Sequence, residues 1–468
     1  MHIRQFMLDE FTPIAIYKKA KEFFNDEICY LFESVVNTSD GNFSYIVCGE
    51  LESIWSNGGK SFYKKDDQVR QIDPNPLKFL KEYYKSIDFQ SYRKKSKELG
   101  IGFIDGFIGY IGYDMVKEFE PVLKPYMDSL KDELNTPDFY MIRPKLIIAY
   151  AHKRSELTMI TPLETIAKKI FDPLQSSIQG EYSYHELKKA KLLGDATFAH
   201  SKEEFFDMVQ KSKEMIRSGD VFQIVISNRL KQKAIVDRFS FYRKLRSLNP
   251  SPYLFLLEFE DFAIAGSSPE VMVRLTDGEI LLRPIAGTRK RGSTPQRDLE
   301  LEQEMKNDPK EVAEHVMLID LGRNDVGRVA KAGSVKVPEV MRIERYSHVM
   351  HMVSDVVAQI DEKYDMFDLF MATFTAGTMT GAPKIRAMEL IAEFEGLKRG
   401  FYSGSVGYFG FDGNMDSAIT IRTALLKDEE VIFQAGAGIV ADSKPELEYL
   451  EVNNKLGALK KALEELAT

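Results

Sequence analysis

The sequence predicts an α+β fold, with antiparallel β-sheets packed against helices in two or three domains or one large two-lobed unit. Three observations carry this expectation. At 468 residues the chain is longer than one ordinary core organises. Alternating apolar segments come in hairpin-like pairs, and helical blocks separate groups of them, a pattern unlike a run of βαβ units. The apolar share of 44% is that of an ordinary soluble globular protein.

The N-terminal region contains FSYIVCGELESIW (43–55) and KLIIAYAHKRSELTMITPL (145–163), which read as strands with a turn near Lys153 to Glu156. The polar stretch from Pro173 to about His200 lacks strong periodicity at its start and reads as a connection. The expected division is therefore 1–180 and 200–466. From Ser201 a helix runs to Gly219, followed by strands in 221–235, 253–267 and 270–288, the last with an Asp277-Gly278 hairpin signal. Helices between about 297 and 398 precede further strands in 404–441 and a closing helix from Pro445 to about Leu466.

Charge and cysteine content narrow the function classes. A net charge of -8 and a pI near 5.6 give no global attraction to nucleic acid or an anionic membrane, so an anionic ligand must be met by locally placed cations. Two cysteines, Cys29 and Cys48, exclude a disulfide scaffold and a Cys-rich zinc site, fit a reducing cytoplasm, and leave one disulfide open. The N-terminus meets acidic residues before any apolar run long enough for a signal sequence. No uninterrupted run of about 18 apolar residues occurs anywhere. A soluble, cytoplasmic protein is expected.

Two glutamate pairs stand out. Asp308-Pro309 reads as a helix start, with Glu311 placed to complete a capping box. Glu314, three residues further, emerges beside Glu311 and has no capping role; Val312, Val316 and Ile319 lie on another face. Near the C-terminus Ser443 and Glu446 form a second capping-box pattern. Tyr449, Val452, Leu456, Leu459 and Leu463 then make an apolar seam, with Glu448, Glu451 and Lys455 on the neighbouring face. Taken alone, that second set reads as a solvated ladder with an i,i+4 pair worth about 0.3–0.5 kcal/mol. If the two helices meet, up to four carboxylates would face one hard divalent cation such as magnesium.

Other motifs are mostly negative. GTMTGAPK (377–384) resembles a phosphate loop, but Ala-Pro precedes Lys384 and Ile385 stands where Ser or Thr should follow. GAGIVAD (436–442) lacks the third glycine of a dinucleotide fingerprint. In RYSHVMHMVSD a strand would point His348 and His351 to opposite faces, so one of them at most serves a site. SSPE (267–270) and RPIAGT (283–288) are turn-like segments after strands, where site loops are common.

Read together, SSPE, RPIAGTRKRG, EVAEHVMLIDLGRND, SHVMHMVS, AGTMTGAPKIRAMELI, GYFGFDGNMDSAITIRTA and GAGIVADSKPELEYLEVNNK resemble the signature series of the chorismate-utilising enzymes, over about residues 200–466. Within that family the chain is most similar to the anthranilate synthase large subunits. The resemblance implies a magnesium cofactor held by Glu311, Glu314, Glu448 and Glu451, with Glu314 and Glu451 as direct ligands. It further implies Glu270 as general acid, His351 in the aromatising phase, and substrate placement by Thr288, Thr378, Tyr402, Arg422, Gly436, Gly438 and Lys455. One departure is Thr375, where the family usually has proline.

Gln223 stands where family members that add water carry a lysine base, and Ala286 where aminodeoxychorismate synthases commonly carry a lysine nucleophile. Both point to ammonia as nucleophile, with chorismate converted to anthranilate and pyruvate. LFES (31–34) resembles a tryptophan-site motif, and NPSPYLF (249–255) the segment that completes it. L-tryptophan inhibition through Glu33, Ser34, Pro252, Tyr253 and Leu254 is therefore implied. No glutaminase signature is present, so a separate glutamine amidotransferase subunit, and hence a hetero-oligomer, is expected. The alternatives are an aminodeoxychorismate synthase or a non-catalytic tryptophan sensor.

Overall fold

A computed structural model of the chain describes residues 1–24, 27–34, 43–181, 184–346 and 349–468. His348 lies outside them. Helices pack on antiparallel sheet, as the hairpin pattern predicts. The strand Phe43–Asn57 pairs with Phe139–Ala151, which turns into Glu156–Thr161 across the expected hairpin. The strand Gln223–Ile235 pairs along most of its length with Glu430–Ile439. Strands from the two halves also pair directly: Cys29–Glu33 with Tyr253–Glu258, and Gly106–Ile111 with Ser405–Gly410.

Sheet burial on both faces explains why several strands read as continuous apolar runs. Tyr30 enters a core with Phe255, Leu257 and Phe259, while its neighbours Cys29 and Leu31 enter a second core with Leu254, Leu256 and Leu456. The two cysteines sit opposite each other in the strand register as buried free thiols. A separate three-stranded sheet, Ile285–Lys290, Val349–Val353 and Arg342–Arg345, carries Thr288 and His351.

The local signals held in part. The helix expected from Ser201 forms over Lys202–Arg217, and the structure adds a capping box between Ser201 and Glu204. Asp308 caps the helix Pro309–Gly327 through the Lys310 and Glu311 amides, but the Glu311 carboxylate turns to Arg289 instead of closing a box. The expected box at Ser443 does not form. Pro445 sets the first turn of the helix Pro445–Ala467 after Lys444, and the Ser443 hydroxyl accepts from the Val440 amide. Pro173 does not begin a linker; the helix Glu164–Gln179 runs through it. Burial of Phe171, Leu174 and Ile178 outweighs the lost backbone bond, and Lys19 donates to the Gly180 and Glu181 carbonyls past the helix end.

Candidate active site

Glu270 lies between the strands Phe262–Ser268 and Val271–Thr276, and its side chain is buried. The Thr378 hydroxyl, in the one-turn helix Gly377–Met379, donates to Glu270 Oε1 at 2.9 Å. Burial pushes the Glu270 carboxyl up to about 7, opposed by that hydrogen bond and by the nearby charges of Arg422 and Lys455. An acid that would ordinarily be ionised is thereby kept protonated close to neutral pH.

The cations sit where the C-terminal strands meet the last helix. Lys455 donates to the Gly436 carbonyl at 2.8 Å and pairs with Glu451 at 2.7 Å. Arg422 adopts a positive φ of 51° after the turn that closes the strand Met415–Ile419, and burial lowers its pKa. Its charge acts on Tyr402, Glu270 and Glu451. A Cβ at Gly438 would lie 2.4 Å from Gln223 Nε2, so only glycine lets that strand approach the Gln223 side chain.

His351 lies 3.0 Å from Thr288 Oγ1 and 3.2 Å from the Gly287 carbonyl, both through Nδ1. Donation from Nδ1–H to Gly287 leaves Nε2 as the ring's acceptor. Burial lowers the His351 pKa, favouring neutral imidazole, and the Tyr346 ring stands edge-on to it at 5.7 Å.

The two glutamate-bearing helices bring their charges within electrostatic reach of each other. Burial raises the Glu314 carboxyl, and the negative charges of Glu311 and Glu451 raise it further; Gln223 Nε2 donates to Glu314 Oε1 at 3.1 Å. Glu448 is raised by burial and by Glu451. Arg289 pairs with Glu311 at 2.8 Å. Among the described residues no group of three or more potential ligands is drawn together as a ready-made metal cage. The chemistry of the set nevertheless fits a hard divalent cation: mutually repelling, partly desolvated carboxylates from two helices, all oxygen donors. The helix Pro309–Gly327 buries His315, Leu318, Ile319 and Val326, whereas Val316 is exposed, so its inner face is not the one drawn through Val312 and Val316.

Glu33, Ser34, Pro252, Tyr253 and Leu254 all line a second cavity of about 260 Å³. The Glu33 carboxylate points away into a hydrogen-bonded group with Tyr242 and Arg246, so only its backbone faces the cavity freely. The cavity also holds an Arg274–Asp416 ion pair at 3.3 Å. Its wall includes Pro269 and Val271, on either side of Glu270, and Tyr346, which touches His351.

Lys384 confirms that 377–384 is no phosphate loop: it is bound to Asp325 and the Thr373 carbonyl. Sequence reasoning missed Gln223 as partner of Glu314, Arg289 as partner of Glu311, and Tyr346. Their proximity is tertiary; only the apolar flanks of Gln223 hinted at burial.

Residues 27–461 match the family model of the chorismate binding enzymes. The chain is 42% identical to anthranilate synthase component 1 of Aquifex aeolicus, covering 98% of this chain and 94% of the relative. It is 40% identical to the protein of the same name from Acetivibrio thermocellus, covering 97% and 93%. The crystal structure of anthranilate synthase component I from Streptococcus pneumoniae superposes with a TM-score of 0.75 at 32% identity, over 91% of this chain and 94% of that one. A menaquinone-specific isochorismate synthase from Escherichia coli shares the fold, with a TM-score of 0.72 at 17% identity, over 99% of this chain and 95% of that one.

Proposed function

The chain belongs to the chorismate-binding enzymes, and from that premise we propose that it is an anthranilate synthase large subunit, combining chorismate with ammonia to give anthranilate, pyruvate and water. The observation that carries this reading is the buried, protonatable Glu270, held by Thr378 beside Arg422 and Lys455. Ammonia adds at C2 of the ring as the C4 hydroxyl departs, and Glu270 supplies the proton that makes it water. Removal of a ring proton then expels the enolpyruvyl group as pyruvate and leaves the aromatic product. His351, neutral and with Nε2 as acceptor, is the base suited to this second phase.

Arg422 matches a ligand carboxylate, and Lys455 and the Gly436–Gly438 backbone complete the substrate's seat, with Tyr402 behind it and Thr288 orienting His351. Glu314 and Glu451 would hold magnesium directly, with Glu311 and Glu448 helping through water. Magnesium, when bound, neutralises the ring carboxylate and draws electrons from the ring. Ala286, buried beside the His351 strand, offers no amine for a covalent route, which disfavours an aminodeoxychorismate synthase.

L-tryptophan is the proposed inhibitor. The second cavity offers aromatic and apolar walls together with cationic and anionic side chains, among them Arg274 and Asp416, as an aromatic amino acid zwitterion requires. A glutamine amidotransferase subunit is the proposed ammonia source, within a cytoplasmic hetero-oligomer serving the first step of tryptophan biosynthesis. Among the described residues no helix is long and apolar enough to cross a membrane. The test is product identification by mass after incubating the chain with chorismate, magnesium and an ammonium salt. Anthranilate with pyruvate is expected; an unaromatised amino product, or no turnover, would overturn the reading.

A further inference from the structure

Arg399 lies outside the site as described, yet it is among the largest side chains that are almost completely buried, at 1% exposure. It follows the helix Lys384–Glu395, whose last residue, Glu395, is also buried. The two form a bidentate pair: Nε donates to Glu395 Oε2 at 2.9 Å and Nη2 to Oε1 at 2.6 Å. Nη2 also donates to the Val225 carbonyl at 2.8 Å, and Nη1 to the Met379 carbonyl at 2.9 Å and the Ser403 hydroxyl at 3.5 Å. All five guanidinium donors therefore have acceptors.

The acceptors other than Glu395 lie beside or opposite a site residue, Ser403 directly after Tyr402. Met379 follows Thr378 in the same one-turn helix. Val225 is the cross-strand partner of Gly438. Ser227, the partner of Gly436, donates to Glu395 through its amide at 2.8 Å and its hydroxyl at 2.9 Å. The guanidinium carbon also lies 5.6 Å from the centre of the Tyr402 ring.

A buried ion pair is weak support for stability, because apolar side chains of similar volume often serve as well. What this pair supplies is direction: a planar fork with every donor committed fixes three chain segments relative to one another. We propose that Arg399, held by Glu395, is a positioning residue for the reaction, setting the turn that carries Thr378 against the strand opposite Gly436 and Gly438. This rests on Thr378 belonging to the active site.

The test is a double-variant cycle in the full chain: Arg399→Lys, Thr378→Ala and both together, each assayed for ammonium-dependent chorismate consumption with magnesium present. Lysine keeps the charge but not the fork. Arg399→Lys is expected to lower kcat by about tenfold or more with a smaller change in KM, as misplacement of a catalytic group does. The double variant is expected to lose about tenfold less than the product of the two single losses.

A purely structural role predicts that the losses multiply, and that result, or wild-type kcat in Arg399→Lys, would overturn the proposal. Full activity in Thr378→Ala would instead overturn the assignment of Thr378 and the proposal with it. Should Arg399→Lys fail to fold, Glu395→Gln, which keeps shape and removes the carboxylate charge, is read by the same cycle.

Discussion

The hydroxyl of Thr378 donates to Oε1 of Glu270 across 2.9 Å, the one hydrogen bond to the buried acid's side chain among the described residues. It favours the ionised form, while burial favours the neutral form, and burial wins. Thr378→Val removes the opposing effect. The pH above which turnover fails for want of a protonated acid is expected to move upward, with kcat reduced, in rate profiles at constant free ammonia.

The same carboxyl links stability to pH. Its folded pKa of about 7 lies above that of an unfolded glutamate, so its stabilisation is complete at low pH, below about 4.3. It is lost as pH rises through the folded value, at a cost of about 4 kcal/mol. Glu270→Gln removes this penalty. Thermal melts should show the variant gaining on the wild type between about pH 5 and pH 8, while its turnover is abolished.

If Glu314 and Glu451 hold magnesium as proposed, the metal should stabilise the chain, because burial, and after it the charges of Glu311 and Glu451, disfavour the ionised Glu314 carboxylate. A metal at about 100 times its Kd adds about 2.7 kcal/mol. Differential scanning fluorimetry with and without magnesium should show a rise in Tm that Glu314→Gln with Glu451→Gln eliminates, alongside loss of activity.

Arg422 and lysine are not equivalent at this position. Arg422→Lys retains charge but gives up paired hydrogen bonding to a carboxylate. Its expected signature is a KM for chorismate raised by about tenfold, equivalent to about 1.4 kcal/mol, read from initial rates.

Ser34 lines the second cavity with Tyr253 and Leu254. Ser34→Phe should fill it. Inhibition by L-tryptophan is expected to disappear with activity kept; unchanged inhibition in rate assays would place the effector elsewhere.

Much of this architecture was legible locally. Asp308-Pro309, Ser201 with Glu204, and Asp277-Gly278 encode their helix starts and hairpin in short-range hydrogen bonds, and the apolar seam of the last helix follows from its spacing. Pro173 and Ser443 misled because a long amphipathic face and a proline two residues further on, respectively, overrode the local signal. The electrostatic influence of Glu451 on Glu314, and the contact of Arg399 with Met379 and Val225, depend on chain segments far apart in sequence. No periodicity records such contacts. Motif resemblance found the first of them, and only coordinates found the second.

The central claim is that the site holds an acid protonated near neutrality to discharge the ring hydroxyl as water. The most direct measurement is the protonation state of Glu270 across neutral pH, taken as the infrared carboxyl difference between the wild type and Glu270→Gln. The account predicts a protonated carboxyl signal that is lost through about pH 7. A carboxylate that stays ionised down to about pH 4 would contradict it.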